Sequence, residues 1–518
     1  MVDILVAHSY FLKYDPKQRA KSKPYPPLGT LYAAAILRQA GYSVALFDAM
    51  FSEGEGDFAR MVSRLRPRFV VLYEDSFNFL VKMCLTRMRE AAQCMSDIAC
   101  DAGATVIAAG PDVSDRPGLY FNHGVRYALL GEADHTLIEL LDALDGRAAT
   151  IHQMTAFGQP GDNSDGAADL AGIPGLAWSD LNSPDGVYRT TRREPERHLD
   201  CLPFPAWDMV DAGRYRDAWQ RAHGYFSVNL VTTRGCPFHC NWCAKPIWGQ
   251  RYAIRSPRSV AEEMALLKRT LRPDHLWFAD DIFGLRGQWV AEFGREVAAR
   301  DAAIPFTIQS RVDLMTEKTV AALAQAGCRE VWLGAESGSQ KILDAMDKGV
   351  QAAHIPVARE RLRAAGIRAC FFIQFGYPSE AFEDILATVE MVRATLPDDI
   401  GVSVSYPLPG TRFHSLVREE LGAKTNWQDS GDLAMMFQGA YASQFYRCLH
   451  HLLHHDLDLR KRLIEGPVDT ESLAALDRLH AEWLELGRLE VECRNESATP
   501  IRGCGEHPVA PDLSEDWN

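Results

Sequence analysis

VTTRGCPFHCNWCAK, residues 231–245, decides the reading of this chain. Cys236, Cys240 and Cys243 stand in C-x3-C-x2-C spacing directly after an apolar, β-branched run, Val228–Thr232. Three thiols so close together have three readings: buried core cysteines, a zinc site, or an iron–sulfur cluster. Structural zinc takes four protein ligands, usually as two pairs, and no second pair answers this one. His239 lies inside the loop, but its neighbours must bend sharply for all four groups to converge. Three thiolates instead suit three irons of a 4Fe–4S cube, whereas electron-transfer clusters take four cysteines. The fourth iron then stays open to chelate a small molecule and pass it an electron.

Outward from this loop, strand-like and helix-like runs alternate from 226 to about 412. Strands are expected at Val228–Thr232, Leu276–Ala279, Phe306–Gln309, Val331–Gly334, Phe371–Phe375 and Gly401–Ser405, with helices at 258–271, 288–300, 316–326, 352–365 and 380–395. Such βα units make a parallel sheet. Six of them fit a partial (β/α)6 barrel, since a closed eight-unit barrel takes about 250 residues. The cysteine loop then sits at the end of the first barrel strand, at the face where barrels carry their sites.

Residues 1–146 show the same alternation with a shorter period. Strands are expected at Ile4–Ala7, Ser43–Asp48, Phe69–Tyr73, Thr105–Ala109 and Tyr127–Leu130, with helices such as Leu31–Ala40 and Cys84–Asp101 between them. This predicts a doubly wound, Rossmann-like domain, with Gly110-Pro111 and Gly131-Glu132 at the ligand-binding strand ends. Residues 147–225 read as a connector with a few short strands: QPGDNSDG (159–166) is a loop by composition, and LPFPAWD (202–208) is too proline-rich for a regular element. Residues 413–518 read as helical to 490, with an acidic, mobile tail.

Composition is that of an ordinary globular protein. The 518 residues suggest about three domains, and 47% apolar with 24% charged residues excludes disorder and fibrous repeats. A net charge of −14 argues against a general nucleic-acid binder. The N-terminus lacks a signal-peptide pattern and no apolar run approaches about 20 residues, so a cytoplasmic protein without an integral membrane segment is expected. Its 12 cysteines are then reduced thiols, in which close spacing points to metal or redox chemistry.

The cysteine loop, with Trp242 before its last cysteine, resembles the radical S-adenosylmethionine (SAM) superfamily. FADDIF (278–283), IQSRVD (308–313), WLGAESGS (332–339), FGYPSE (375–380) and SYPLPGT (405–411) follow at successive strand ends in family-like order. PPLGTLYAA (26–34), GEADHTLIEL (131–140) and LPFPAWD resemble the branch that joins a cobalamin-binding-type domain to this barrel. That branch includes the anaerobic magnesium-protoporphyrin ester cyclase and many C-methyltransferases.

The resemblance implies that Cys236, Cys240 and Cys243 hold the cluster, and that SAM bound to the open iron is cleaved reductively to a 5′-deoxyadenosyl radical. It places Gln309, Ser310 and Arg311 on SAM polar groups, with Arg311 pairing its carboxylate. Glu336 and Ser337 contact methionine or ribose, Gly334 gives close backbone approach, and Tyr377 and Pro378 line the adenine edge. An external electron donor of flavodoxin or ferredoxin type and a small-molecule or lipid substrate are implied as partners. Asp280 and Asp281 read equally as a substrate- or proton-handling pair and as a cap on the following helix.

The first domain lacks the D-x-H-x-x-G motif that supplies an axial histidine to cobalt in some relatives. His8 stands in VAHSYF, without the aspartate or glycine at that spacing. Cobalamin is therefore expected without a histidine ligand, its lower face met by large apolar groups. Candidates are Tyr73, Glu74 and Asp75 at the end of the third strand, with Phe77 and Phe79; packing of the domain edge is the other reading. GPDVSD (110–115) departs from the commoner GGPH turn. His450, His451, His454 and His455 at i,i+4 spacing read as a polar helix face, lacking H-E-x-x-H, and Met435 and Met436 as core filling. The favoured reaction is methylation of an unactivated carbon. The alternatives are radical oxidation, cyclisation or rearrangement, and a non-catalytic corrinoid or iron–sulfur sensor.

Overall fold

The computed structural model describes residues 2–77, 85–147, 170–244, 247–422, 424, 433–466 and 470–494. Phe79, Cys84, Cys504, the loop 159–166 and the tail lie outside the described residues, as does Lys245.

The first sheet is built from β1 (Ile4–Ala7), β2 (Val44–Phe47), β3 (Phe69–Tyr73), β4 (Thr105–Ala109) and β5 (Val125–Leu129). These five are parallel, in the order β2-β1-β3-β4-β5. Every residue of ILVA and FVVLY is buried. That is what a strand covered on both faces requires, and it explains why these runs do not alternate with polar residues. Ile4 and Val6 pack against Ala33, Leu37, Leu137 and Leu141 of helices Leu28–Gln39 and Asp134–Asp145 on one face. Leu5 and Ala7 pack against Phe58, Val62 and Met95 of helices Glu55–Leu65 and Leu85–Asp101 on the other. The strand order reverses direction at β1 and β3, which opens a ligand crevice beyond their carboxyl ends.

The stretch read as a connector extends this sheet. Its β6 (Leu176–Ser179) and β7 (Val187–Arg189) add antiparallel strands beside β5. An Asp185-Gly186 turn joins them, with Gly186 at φ +73°.

The second sheet holds β8 (Ser227–Leu230), β11 (His275–Phe278), β12 (Phe306–Ser310), β13 (Cys328–Glu336), β14 (Arg368–Phe375) and β15 (Asp399–Val404), all parallel and in sequence order. Strands β8 and β15 stay unpaired with each other, so the barrel is the expected partial (β/α)6 form. Its helices are Pro257–Thr270, Gly287–Ala299, Glu317–Ala326, His354–Ala364 and Phe382–Thr395. Ser256 and Thr316 cap two of them by accepting the amides of Ser259 and Thr319. Two short antiparallel strands, β9 (Thr233–Arg234) and β10 (Ala253–Ile254), clasp the ends of the cysteine loop.

Helices Ser443–Glu465 and Thr470–Cys493 pack together beside β15. Lys461 donates to the Asp398 carbonyl at 2.7 Å, and Arg393 pairs with buried Asp456 at 2.7 Å. This helix pair covers a sheet edge that would otherwise be a template for association. His454 meets the carbonyls of His450 and Ile400 at 2.8 and 3.2 Å, and His455 meets Glu482 at 3.1 Å. These contacts make the histidine run part of the helix packing. Met436 joins a small core with Tyr377 and Phe413, with Met435 packed against it. Among the described residues no helix is long and apolar enough to cross a membrane.

Candidate active site

The cysteine loop leaves the barrel at the carboxyl end of β8. Gly235, at φ +77°, starts it, and a Cβ there would stand 2.2 Å from the Arg251 carbonyl oxygen. Asp280, at the end of β11, holds the root of the loop: its carboxylate accepts the Thr232 and Thr233 amides at 2.7 and 2.8 Å and the Thr232 hydroxyl at 2.6 Å. Burial pushes this carboxyl up to about 6 despite those donors. Asp280 thus caps the loop root; the following helix begins after Arg286 without a side-chain cap.

Asn241 anchors the far side of the loop. It donates to the carbonyls of Met346 (3.0 Å, backbone) and Ala345 (2.7 Å, side chain), and its own carbonyl accepts the Phe413 amide at 3.0 Å. The Tyr377 hydroxyl meets Asn241 Oδ1 at 2.8 Å. Cys236, Cys240 and Cys243 are all half-buried and free of disulfides. Three thiols on one braced loop at the barrel mouth are the donor set a site-differentiated 4Fe–4S cluster needs.

Two buried ions face this loop. Lys348 donates to Glu336 across 2.7 Å, with side-chain exposures of 7% and 6%. Burial pushes the ammonium down, but the Glu336 carboxylate and the Cys240 sulfur more than reverse this, leaving its pKa raised. Glu336 ends β13 at φ +59°. A non-glycine residue held there stores about 1–3 kcal/mol of strain, as functional positions often do.

Arg311 lies 3.7 Å from the Phe238 ring centroid. Its guanidinium donates to Asp313 at 3.0 and 3.1 Å and to the carbonyls of Lys348 and Gly349 at 2.8 and 3.3 Å. It therefore ties the end of β12 to the Lys348 turn and braces the cysteine loop. The Ser310 hydroxyl donates to the Phe283 carbonyl at 2.9 Å, and Ser337 Oγ pairs with Thr388 at 3.0 Å and accepts the Ser339 amide. Gln309 is half-buried on β12, and Tyr377 and Pro378 are buried after β14. The carboxyl ends of these strands thus bring the whole expected group to one face. Sequence reasoning missed Lys348 and Asn241; a lysine–glycine turn after a short helix was the only signal for the former.

A small cavity opens where the first sheet meets the root of the cysteine loop. Gly29, Tyr73, Phe77, Gly110 and Gly131 line it from the first domain, and Arg234, Ile247 and Trp248 from the barrel side. Phe77 stacks on Trp248 with centroids 4.9 Å apart. Beneath them Arg234 forms a buried ion pair with both Glu132 and Asp134, and the Tyr73 hydroxyl donates to Asp134 at 3.1 Å.

Glu74 and Asp75 turn back into the domain. Glu74 accepts the Ser9 amide at 3.0 Å, and burial pushes it up to about 6. Asp75 accepts the amides of Leu28 and Gly29 at 3.1 and 2.9 Å, capping the helix that PPLGT begins. Burial raises its pKa as well. His8 is buried, 2.9 Å from Asp48, with the Tyr10 and Ala49 amides against its ring nitrogens. Asp112 of the GPDVSD turn pairs with Arg89 at 2.6 Å, and Ser114 accepts the Gly131 amide at 3.0 Å.

With this geometry in place, the class of the barrel follows: residues 230–392 match the Radical SAM superfamily model. The chain resembles the branch of that superfamily with a cobalamin-binding-type first domain. An uncharacterized methyltransferase of Pyrococcus horikoshii is 25% identical over 85% of this chain and 93% of its own length. The anaerobic magnesium-protoporphyrin IX monomethyl ester cyclase of Rubrivivax gelatinosus is also 25% identical, over 77% of this chain and 67% of its own. The structure of the radical SAM methyltransferase TsrM from Kitasatospora setae, with cobalamin and a [4Fe–4S] cluster bound, shares the fold: TM-score 0.63, 21% identity, covering 83% of this chain and 80% of that one. A Radical SAM domain implies a 4Fe–4S cluster and SAM.

Proposed function

We propose that this enzyme methylates an unactivated carbon of a small molecule or lipid, using a corrinoid held between its first sheet and the cysteine loop. One observation carries the reading: a single cavity is walled by the ends of β3–β5 on one side and by the stem of the cysteine loop on the other. Arg234, Ile247 and Trp248, which flank the cysteines in sequence, line this cavity. The methyltransferase relative, which spans nearly the whole chain, supports the same reaction class.

The cavity wall fits a corrinoid face in kind. Aromatic rings and glycines line it beside the Glu132–Asp134–Arg234 trio, and the glycines give close backbone approach. Tyr73 and Phe77 are among its lining groups, whereas His8 is engaged by Asp48 and backbone amides away from it. We therefore assign cobalamin binding without a histidine ligand. A corrinoid supplies methyl transfer when bound; the cluster supplies electron transfer to SAM and hence the 5′-deoxyadenosyl radical.

The division of labour follows the chain. Residues 1–146, extended by β6 and β7, form the corrinoid unit, 226–412 the barrel, and the helices Ser443–Glu465 and Thr470–Cys493 belong to the part that selects substrate. Cys236, Cys240 and Cys243 hold the cluster. Gln309, Gly334, Glu336, Tyr377 and Pro378 face SAM, while Ser310, Arg311 and Ser337 position the strand ends that carry them. Flavodoxin- or ferredoxin-type protein delivers the electron.

The test is cobalamin occupancy of the full chain, expressed with cobalamin uptake and purified without oxygen. One cobalamin per chain, with no nitrogen splitting of the Co(II) resonance signal, is expected. An intact cluster with no cobalamin would sink cobalt-mediated methylation and favour radical oxidation or cyclisation, the chemistry of the cyclase relative. Cys240→Ala is expected to lose the cluster and all SAM cleavage.

A further inference from the structure

We infer that His135, Glu196 and Cys201 form a metal site for a zinc-class divalent cation, separate from the cysteine loop. His135 Nε2 and Glu196 Oε2 stand 3.0 Å apart, and one ring nitrogen of His135, one carboxylate oxygen of Glu196 and Cys201 Sγ all lie within 4.8 Å of one another. The three come from different elements. His135 is in the first turn of helix Asp134–Asp145, while Glu196 and Cys201 belong to the segment that leads from the first sheet towards the barrel.

The donor set selects the metal. One imidazole nitrogen, one carboxylate oxygen and one thiolate are borderline ligands, which suit zinc and its neighbours and not the hard cations magnesium and calcium. Three protein ligands leave a fourth tetrahedral position for water. Side-chain exposures of 12% for His135 and 14% for Glu196 let an ion enter while removing most of their water.

The shell around the ligands holds their geometry. Glu196 Oε1 accepts the His198 amide at 2.7 Å, leaving Oε2 towards His135. The Glu196 amide donates at 2.5 Å to Glu132, a member of the buried trio with Arg234. Cys201 closes a short turn through its own amide, 3.0 Å from the His198 carbonyl. Such outer contacts fix ligand orientation in metal centres. The ion would staple residues 196–201 to the helix beside the corrinoid cavity, and its binding releases the thiol proton of Cys201 to solvent.

The experiment uses the intact, cluster-loaded chain, incubated anaerobically with zinc sulfate and passed through a desalting column. Zinc and iron are counted together, and zinc-edge absorption fine structure reads the ligands. One zinc per chain with a single sulfur neighbour and unchanged iron is expected. His135→Ala and Cys201→Ser should each weaken zinc binding beyond the roughly 10–100-fold that loss of an outer contact costs. Glu132→Gln, which removes no ligand and keeps an acceptor for the Glu196 amide while weakening the Arg234 pair, should stay within that range and still show one sulfur. No retained zinc, or zinc with three sulfur neighbours from the cysteine loop, would overturn the assignment.

Discussion

Lys348 donates to Glu336 across 2.7 Å in a chamber that residue 334 leaves open by having no side chain. A Cβ at Gly334 would stand 2.6 Å from Lys348 Nζ and 2.9 Å from Glu336 Oε1. The glycine, the strained glutamate and the lysine therefore form one unit, with the lysine reaching towards Cys240. Lys348→Met leaves Glu336 buried and unpaired, and is expected to cost about 3–5 kcal/mol. Adding Glu336→Gln removes the orphaned charge, so the double variant should recover part of that loss. Urea unfolding of the four proteins measures the coupling. A single variant within about 0.5 kcal/mol of the parent would contradict the pair's role.

Gly235 makes a sharper test of the cysteine loop. Gly235→Ala places a Cβ 2.2 Å from the Arg251 carbonyl oxygen at φ +77°, so the loop root must shift. Backbone strain of about 1–3 kcal/mol is expected, together with less iron per chain after reconstitution. Gly224→Ala serves as a control: its φ is +75° but nothing lies within 4 Å of the added carbon. That variant should lose stability while keeping its iron. Equal iron in both would mean that the Arg251 contact does not shape the loop.

These two tests rest on different degrees of legibility in the sequence. The runs ILVA and FVVLY announced strands covered on both faces, and β1, β3 and β4 begin and end where their apolar runs do. The apolar run Val228–Thr232 put the cysteine loop at a strand end, and β8 (Ser227–Leu230) ends just before it. Lys348 was hidden, because a lone lysine in a turn normally points into water, and only the burial of Glu336 gives it a reason to turn inwards. Arg234 was hidden differently: its partners Glu132 and Asp134 lie about 100 residues earlier, in another domain. The few short strands expected in 147–225 are β6 and β7, but nothing in the sequence showed that they extend the first sheet.

Glu380 gives the pH dependence. It is buried after β14, accepts the Gly376 amide at 2.7 Å, and burial pushes its carboxyl up to about 8. A carboxyl raised in the folded state contributes stability that is complete below its unfolded value of 4.5 and is lost as pH rises through about 8. Glu380→Gln keeps an acceptor for Gly376 and has nothing to ionise. Between about pH 5 and about pH 8.5 the parent should therefore lose more stability than the variant. Parallel urea midpoints across that range would refute the assignment.

Arg234 joins the two halves of the molecule, and its removal should be felt at that junction first. It pairs with Glu132 and Asp134 while lying 5.6 Å from the Tyr32 ring centroid and 5.7 Å from that of Phe77. Arg234→Met keeps the apolar contacts with both rings but leaves two buried carboxylates facing each other. The expected loss is about 3–5 kcal/mol, the range for an orphaned buried charge. Asp134→Asn added to it should recover part of that loss. Hydrogen exchange locates the effect: peptides spanning 129–136 and 233–244 should exchange faster, while β13 and β14 in the barrel core stay protected. Uniformly faster exchange along the chain would mean that the trio supports the whole fold and does not latch the first sheet to the cysteine loop.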